Sequence, residues 1–405
     1  MKSSILVIAR ARKDAKALSH ATGCETLSLG GVRRAEDIDP EVYEKLKNRI
    51  PIFFSGREDR ELGVAFVEEA LKYNPLTRHV RIEKKAVRNA RMEEIREKFE
   101  LEKASLRLNF EFDGRVFLFS RENRLGVEIN PDYDAYFILS EEFARNTGKF
   151  FGVEVCEGNL VIRKLMNEEW IYSPLLKAIL SKKIGEECRT VFENDVRPVK
   201  VSVDEMAEKN EKILRTLEKV AVNFLRSSVS EPVAVPFSGG KDSLVSLILA
   251  KKAFEDVRAI YVKTNFELPF TEDYVEDVCE KLGVELIKAE VKFDLSRGSP
   301  TLEDRWCTRE KMEALKRVAG NRCLIAGDRD AESRLRRERP EIMWRVSKEV
   351  FPIKYWSGCH VQLYSVLEGF RLHPLYYTGF YRLGCSICPS MSDWEKKLLK
   401  DCIRN

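Results

Sequence analysis

The sequence predicts an α/β protein of several domains, ending in a doubly wound parallel sheet over residues 230–405. Three observations carry that prediction. Residues 233–254 read as strand, loop and helix. Residues 257–291 then read as strand, loop, helix and strand, a second parallel unit. Near the start, two apolar runs are each followed by a charged amphipathic stretch. A length of 405 residues fits roughly two to four domains. The expected division is a small α/β domain over 1–100, a strand-rich α+β accessory domain over 101–200, a linker helix over 201–229 and the doubly wound domain over 230–405.

Composition narrows the class. Apolar residues make up 44% and charged residues 34%, which excludes a disordered polymer, a collagen-like repeat and a multispanning membrane protein. Lys plus Arg exceeds Asp plus Glu by only 70 to 66, a net charge of +4, so no general nucleic-acid coat is expected. The apolar run at Ile5–Ala9 is too short for a signal-peptide core or a membrane span, and the chain reads as cytoplasmic. Abundant Lys, Arg and Glu beside a single glutamine, Gln362, fit a thermophile.

Taken in order, ILVIA at 5–9 and PIFF at 51–54 read as buried strands, with helices over 11–18 and 61–73. The loop SGREDRELG after the second strand resembles the acidic loop of Toprim-like domains. Those domains place a glutamate after the first strand, where this chain has Ala9 and Arg10. A charge-dense helix is expected over 80–104, then alternating strands such as LRLNFEF, RVFLFS, YFIL and LVIRKL, punctuated by Asp-Gly and Glu-Gly turns. Their Arg and aromatic content suits either a solvated sheet face or an RNA-binding surface. A helix over 203–226 follows.

The chemistry starts at residue 233. VAVPF is a short strand, SGGKDS follows at 238–243, and LVSLILAKKAF continues as a helix. Gly239 and Gly240 let the backbone turn and approach a ligand. The free N–H groups of the helix start, with Lys241, suit phosphate or sulfate oxygens. The spacing is not that of a Walker A loop. Ser238, Asp242 and Ser243 complete a set that a plain Gly-Gly turn would not need. Ten arginines lie between 305 and 345, and Arg329 and Arg336 carry guanidinium forks of the kind that bind phosphate or sulfonate.

SGGKDS resembles the PP-loop of the adenine nucleotide alpha-hydrolase superfamily, and later segments resemble the phosphoadenosine phosphosulfate (PAPS) reductase family. TNFELPFT is similar to that family's Asp-Thr-Gly…Pro-Glu-Thr loop at Thr264, Pro269 and Thr271, and departs from it at Lys263, Asn265 and Phe270. RWCTREK at 305–311 resembles its Trp-Cys…Lys motif, which points to Lys311. GDRDAESRLR at 327–336 resembles its Gly-x-Arg-x-x-Glu-Ser-x-x-Arg motif, and 355–389 resembles its Pro-Leu-Tyr…Gly-Phe…Gly-Cys ending. The resemblance covers about 230–400 and implies a nucleotide site of Ser238, Gly239, Gly240, Lys241, Asp242, Ser243, Thr264, Lys311, Arg329 and Arg336.

Cys385 and Cys388 form a C-x-x-C, which suits a Zn or Fe–S site or a redox dithiol. With Cys307 as third ligand and Cys359 as fourth, they make a candidate metal centre for a [4Fe-4S] cluster or zinc. The related APS reductases supply a Cys-Cys pair where this chain has Cys307 followed by Thr308. Reductase chemistry on PAPS or APS implies a thiolate nucleophile, a thiol or other electron donor, and sulfite release. That family's nucleophile sits in a C-terminal Glu-Cys-Gly-Leu-His, whereas this chain ends KDCIRN, leaving Cys402 as the candidate beside Lys241. The alternative is an ATP-dependent, pyrophosphate-releasing sulfur transferase acting on a tRNA base or another acceptor. A binding module without turnover is the third class. Both enzyme readings make a small-molecule nucleotide the partner, with no membrane; oligomeric state is not written in the sequence.

Overall fold

The computed structural model describes residues 3–151, 154–164, 168–173, 176–181, 198–345 and 347–404. The chain forms two compact units, each assembled from separated stretches. The first comprises 1–111, 118–131 and 209–228, the second 112–117, 132–208 and 229–405.

In the first unit, β1 (Ile5–Ala9) is buried at every position and leads into α1 (Arg12–Thr22), which stops at Gly23 in the left-handed region, φ 70°. β2 (Glu25–Ser28), β3 (Ile50–Ser55), α2 (Arg60–Tyr73) and β4 (Arg78–Arg81) follow. The four strands pair in parallel in the order β2-β1-β3-β4. Leu6, Ile8, Phe53, Phe66 and Val67 form the core between this sheet and its helices. Asp59 in the acidic loop is paired with Arg10, which also reaches Glu58 at 3.4 Å. The arginine that stands after the first strand thus neutralises the loop.

The charge-dense helix is α3 (Met92–Leu108), and it runs through Leu106–Leu108, where a strand was expected. Ile95, Phe99 and Leu106 repeat at helical spacing and are buried, so the 3.6-residue period outweighs the local alternation. The helix expected over 203–226 is two helices, Val203–Lys209 and Glu211–Ser228; the second is the longer. It buries Leu214, Leu217, Val220, Phe224 and Leu225 and belongs to the first unit.

The second unit begins with an antiparallel meander. β5 (Tyr133–Phe137) is followed by α4 (Glu141–Phe151), β6 (Leu160–Lys164), β7 (Glu168–Ser173) and β8 (Leu176–Ser181), and the sheet order is β8-β7-β6-β5. Ala135 faces Ile162 in the β5–β6 register. The doubly wound part contains β9 (Val233–Pro236), α5 (Lys241–Ala253), β10 (Val257–Thr264), α6 (Thr271–Leu282), β11 (Glu285–Val291), α7 (Trp306–Ala319), β12 (Cys323–Ile325), β13 (Ile342–Trp344) and β14 (Lys348–Val350). Its six strands run in the order β11-β10-β9-β12-β14-β13, all parallel except the β13–β14 pair. The doubly wound parallel fold expected over 230–405 is present.

Two helices close the unit, α8 (Gly358–Leu367) and α9 (Asp393–Arg404). Tyr136, Ile138, Phe143 and Val161 share one core with Leu268, Leu375, Phe380, Tyr381 and Trp394. Residues 132–164, expected inside a separate accessory domain over 101–200, therefore lie in the same unit as the doubly wound sheet. Among the described residues no helix is long and apolar enough to cross a membrane.

Candidate functional site: the loop after β9

After β9 the chain first builds β10 on one side of that strand and later β12 on the other. The carboxyl end of β9 is therefore the topological switch point, where open α/β sheets leave a crevice for ligands. SGGKDS stands there. Gly239 has φ 74°, a left-handed turn that a side chain resists, and Gly240 is the extended N-cap of α5. Ser243 closes the first turn by donating its hydroxyl to the Gly240 carbonyl at 2.9 Å, and the Lys241 N–H donates to the Tyr376 hydroxyl at 3.0 Å. The helix start thus faces Tyr376 of the Pro-Leu-Tyr-Tyr turn.

Behind the loop lies a buried chain of charges. Lys241 Nζ donates to Asp242 at 2.5 Å, and Asp242 accepts from Arg329 Nε, also at 2.5 Å. Arg329 Nη1 donates to Asp134 at 2.7 Å, and Nη2 to the Tyr136 hydroxyl at 3.2 Å. Burial lowers the Lys241 ammonium's pKa below its ordinary value despite the neighbouring Asp242. Burial pushes the Asp242 carboxyl up, but Arg329 and Lys241 outweigh it and hold it below the usual range. Two cations and two anions balance.

Arg329 is fully buried, with its guanidinium committed to two carboxylates, so it braces the loop from behind rather than facing a phosphate as its motif implies. Arg336 pairs with Glu332 and lies 3.5 Å from Asp328. Gly327 is where β12 passes the loop. A Cβ there would stand 2.7 Å from the Asp242 backbone, so glycine is what lets Arg329 reach inward. Asp134 and Tyr136 were missed by sequence reasoning, because nothing local ties β5 to a loop far along the chain.

A second cluster forms where β10 ends. The Thr264 hydroxyl donates to Glu267 at 2.8 Å and lies 3.8 Å from Cys385 Sγ. Lys311, on α7, is 3.7 Å from Glu267 and donates a hydrogen bond to Cys385. Burial lowers its pKa, but Cys385, Glu267 and Cys307 outweigh burial and keep the ammonium raised. Cys388 closes the C-x-x-C turn, its N–H donating to the Cys385 carbonyl at 2.9 Å.

The four-cysteine metal centre is not assembled. Among the described residues no group of three or more His, Cys, Asp or Glu side chains is placed to hold a metal ion. Cys359 is wholly buried in the first turn of α8, near Asp134 and Arg329, and burial pushes its thiol far up. The Lys311 ammonium faces Cys385. Cys402 lies on α9, and its side chain falls outside the described residues.

Residues 232–391 match the family model described as the phosphoadenosine phosphosulfate reductase domain. This stretch is similar to that domain family. The chain is 32% identical over 230 residues to an uncharacterized protein of Methanocaldococcus jannaschii, covering 51% of this chain and 48% of that protein. A sulfate adenylyltransferase subunit 2 from a Mycobacterium species is 28% identical over 203 residues, 40% of this chain and 64% of that protein. The chain thus spans about half to two thirds of the curated relatives it matches. A crystal structure of PAPS reductase from Candida auris is similar at 18% identity and a TM-score of 0.34, covering 45% of this chain and 94% of that one. The matched stretch starts at β9, so β5 and its Asp134 lie outside it.

Proposed function

We propose that the C-terminal domain binds ATP with its phosphates on Ser238–Ser243 and transfers the adenylyl group to an acceptor oxygen, releasing pyrophosphate. One observation carries this reading: the glycine turn, helix start and lysine at the switch point, in a sequence similar to sulfate adenylyltransferase subunit 2. In the step, the acceptor oxygen attacks the α-phosphorus, the bond to the bridging β-phosphate oxygen breaks, and negative charge collects on the departing pyrophosphate. The N–H groups at the start of α5 and the Lys241 ammonium are the groups that stabilise that charge. A tRNA base or an oxyanion would serve as acceptor. Exchange of labelled pyrophosphate into ATP tests the reading. Wild-type exchange falling about a hundredfold in Lys241→Ala supports it, and no exchange or pyrophosphate release by the wild type with any acceptor class defeats it.

A second reading is favoured by the Lys311–Cys385 contact. Here PAPS or APS binds the same loop and a cysteine thiolate attacks the sulfur. The S–O bond to the nucleotide breaks, an S-sulfocysteine forms, and a donor thiol displaces sulfite while forming a disulfide. The Lys311 ammonium beside its sulfur makes Cys385 a second candidate beside Cys402. Sulfite release with dithiothreitol, compared in Cys385→Ser and Cys402→Ser, separates the two.

A further inference from the structure

We propose that Asp134 and Tyr136, on a strand upstream of the PAPS reductase domain, are positioning residues of its phosphate site, holding the buried Lys241 as an ammonium against the loop. The inference rests on the nucleotide-binding reading above and adds residues that lie outside the matched domain.

Lys241 is 1% exposed, and a lysine so placed loses its proton readily unless anions and polarisable groups offset the desolvation. The groups facing it are Asp242 on its own helix, Arg329 and Glu332 beyond β12, Tyr136 on β5 and Tyr376 on the Pro-Leu-Tyr-Tyr turn. Within the reductase domain alone the balance is poor. Asp242 is shared between two cations, and Glu332 is engaged by Arg336.

Asp134 supplies the missing anion. It takes Arg329 Nη1 at 2.7 Å and is itself fixed by the Gly358 N–H at 2.9 Å, so Arg329 need not draw Asp242 wholly to itself. Tyr136 acts from the other side. Its ring centre lies 5.4 Å from Lys241 Nζ, within cation–π range, while its hydroxyl accepts from Arg329 Nη2. Gly358 leaves room for that ring, since a Cβ there would stand 2.3 Å from it. β5 thus delivers a carboxylate and an aromatic face two residues apart, both on the side of the strand that meets the loop.

The test uses the full-length chain and ATP, titrated calorimetrically from about pH 7.5 to 9.5, where ATP has no ionisation of its own. Wild-type affinity should fall on the alkaline side as Lys241 loses its proton. Asp134→Asn and Tyr136→Leu should move that fall to lower pH by about one unit, an affinity loss of about tenfold at the upper end and little at the lower. Tyr136→Phe, which keeps the ring over Lys241 but loses the hydroxyl that accepts from Arg329 Nη2, should move the fall less than Tyr136→Leu does. A merely structural role would lower the melting temperature and weaken binding equally at every pH, and that result overturns the proposal. So does an unchanged alkaline limb in folded Asp134→Asn and Tyr136→Leu. If Asp134→Asn does not fold, the contrast between Tyr136→Leu and Tyr136→Phe decides by the same limb. Wild-type protein that binds no ATP at any pH defeats the nucleotide reading and the inference with it, a result distinct from a bound wild type with unshifted variants.

Discussion

Arg329 shows how one buried side chain changes meaning once its partners are known. Its motif presents it as an anion ligand, yet it lies between Asp134 and Asp242 with no exposed surface. Removing it leaves two carboxylates in a low-dielectric site, with Lys241 paired to Asp242 and Asp134 without its cation. Arg329→Ala should therefore cost about 3–5 kcal/mol of stability in urea unfolding, more than the loss of a single phosphate contact would explain. Arg329→Lys should recover part of it, because an ammonium cannot make both forks at once. His373 makes a parallel point about pH. It is fully buried, its Nδ1 accepts from the Leu375 N–H, and its Nε2 meets Thr271 at 3.3 Å. Burial lowers its pKa from 6.5 to about 4. A depressed value means that the unfolded chain takes up the proton first. The contribution is therefore complete above about pH 6.5 and is lost as the pH falls toward about 4, by roughly 3 kcal/mol at most. Unfolding free energies at pH 7 and pH 4.5 should differ by less in His373→Asn than in the wild type; an equal difference would show that His373 is not the group responsible.

At the level of strand and helix, the site depends on two glycines for different reasons, and substitution separates them. Gly239 has open space around a Cβ, the nearest atoms being 3.5 Å away, but a φ of 74°, so Gly239→Ala meets strain of about 1 kcal/mol and a slightly displaced turn. Gly327 has no such backbone demand, yet its Cβ would press on the Asp242 backbone at 2.7 Å and push the start of α5 off β12. Gly327→Ala should thus weaken ATP binding more than Gly239→Ala does, which calorimetry on both variants would measure. The reverse order would place the phosphates away from the α5 start. The same elements show what could be read without coordinates. The strand, glycine turn and helix of 233–254 depend on neighbours within a few residues, and they fold as their pattern implies. The expected fourth ligand failed for a local reason. Ser357 and His360 cap α8 reciprocally, which starts the helix at Gly358 and places Cys359 in its buried first turn. Asp134 and Tyr136 were out of reach because their partners are separated from them by most of a domain.

The whole chain is cut in sequence where it is not cut in space. The second unit takes 132–208 and 229–405 and leaves Glu211–Ser228 between them to the first unit, so a boundary drawn at residue 229 divides a packed core. A sequence reading places that boundary naturally, since the PP-loop motifs all follow it and the strands before it carry no chemistry of their own. Packing says otherwise. Tyr136, Ile138, Phe143 and Val161 from the upstream segment bury against Leu268, Leu375, Phe380, Tyr381 and Trp394, and Gln362 of α8 exchanges hydrogen bonds with both backbone groups of Phe137, at 2.8 and 3.1 Å. Uncovering even four side chains of that size forfeits roughly 6–12 kcal/mol, comparable to the entire stability of a typical domain. It would also strand Gln362 without Phe137 and leave Arg329 without Asp134 and Tyr136. A fragment comprising residues 230–405 should consequently fail to form a cooperative fold, giving a broad or absent thermal transition and exposed apolar surface by dye binding, although it contains the whole stretch that matches the PAPS reductase family model. The full-length chain should melt cooperatively under the same conditions. A fragment that melts sharply and binds ATP as tightly as the full chain would show that β5 and its neighbours are an appendage, and that the core they share with the doubly wound sheet contributes little to holding it together.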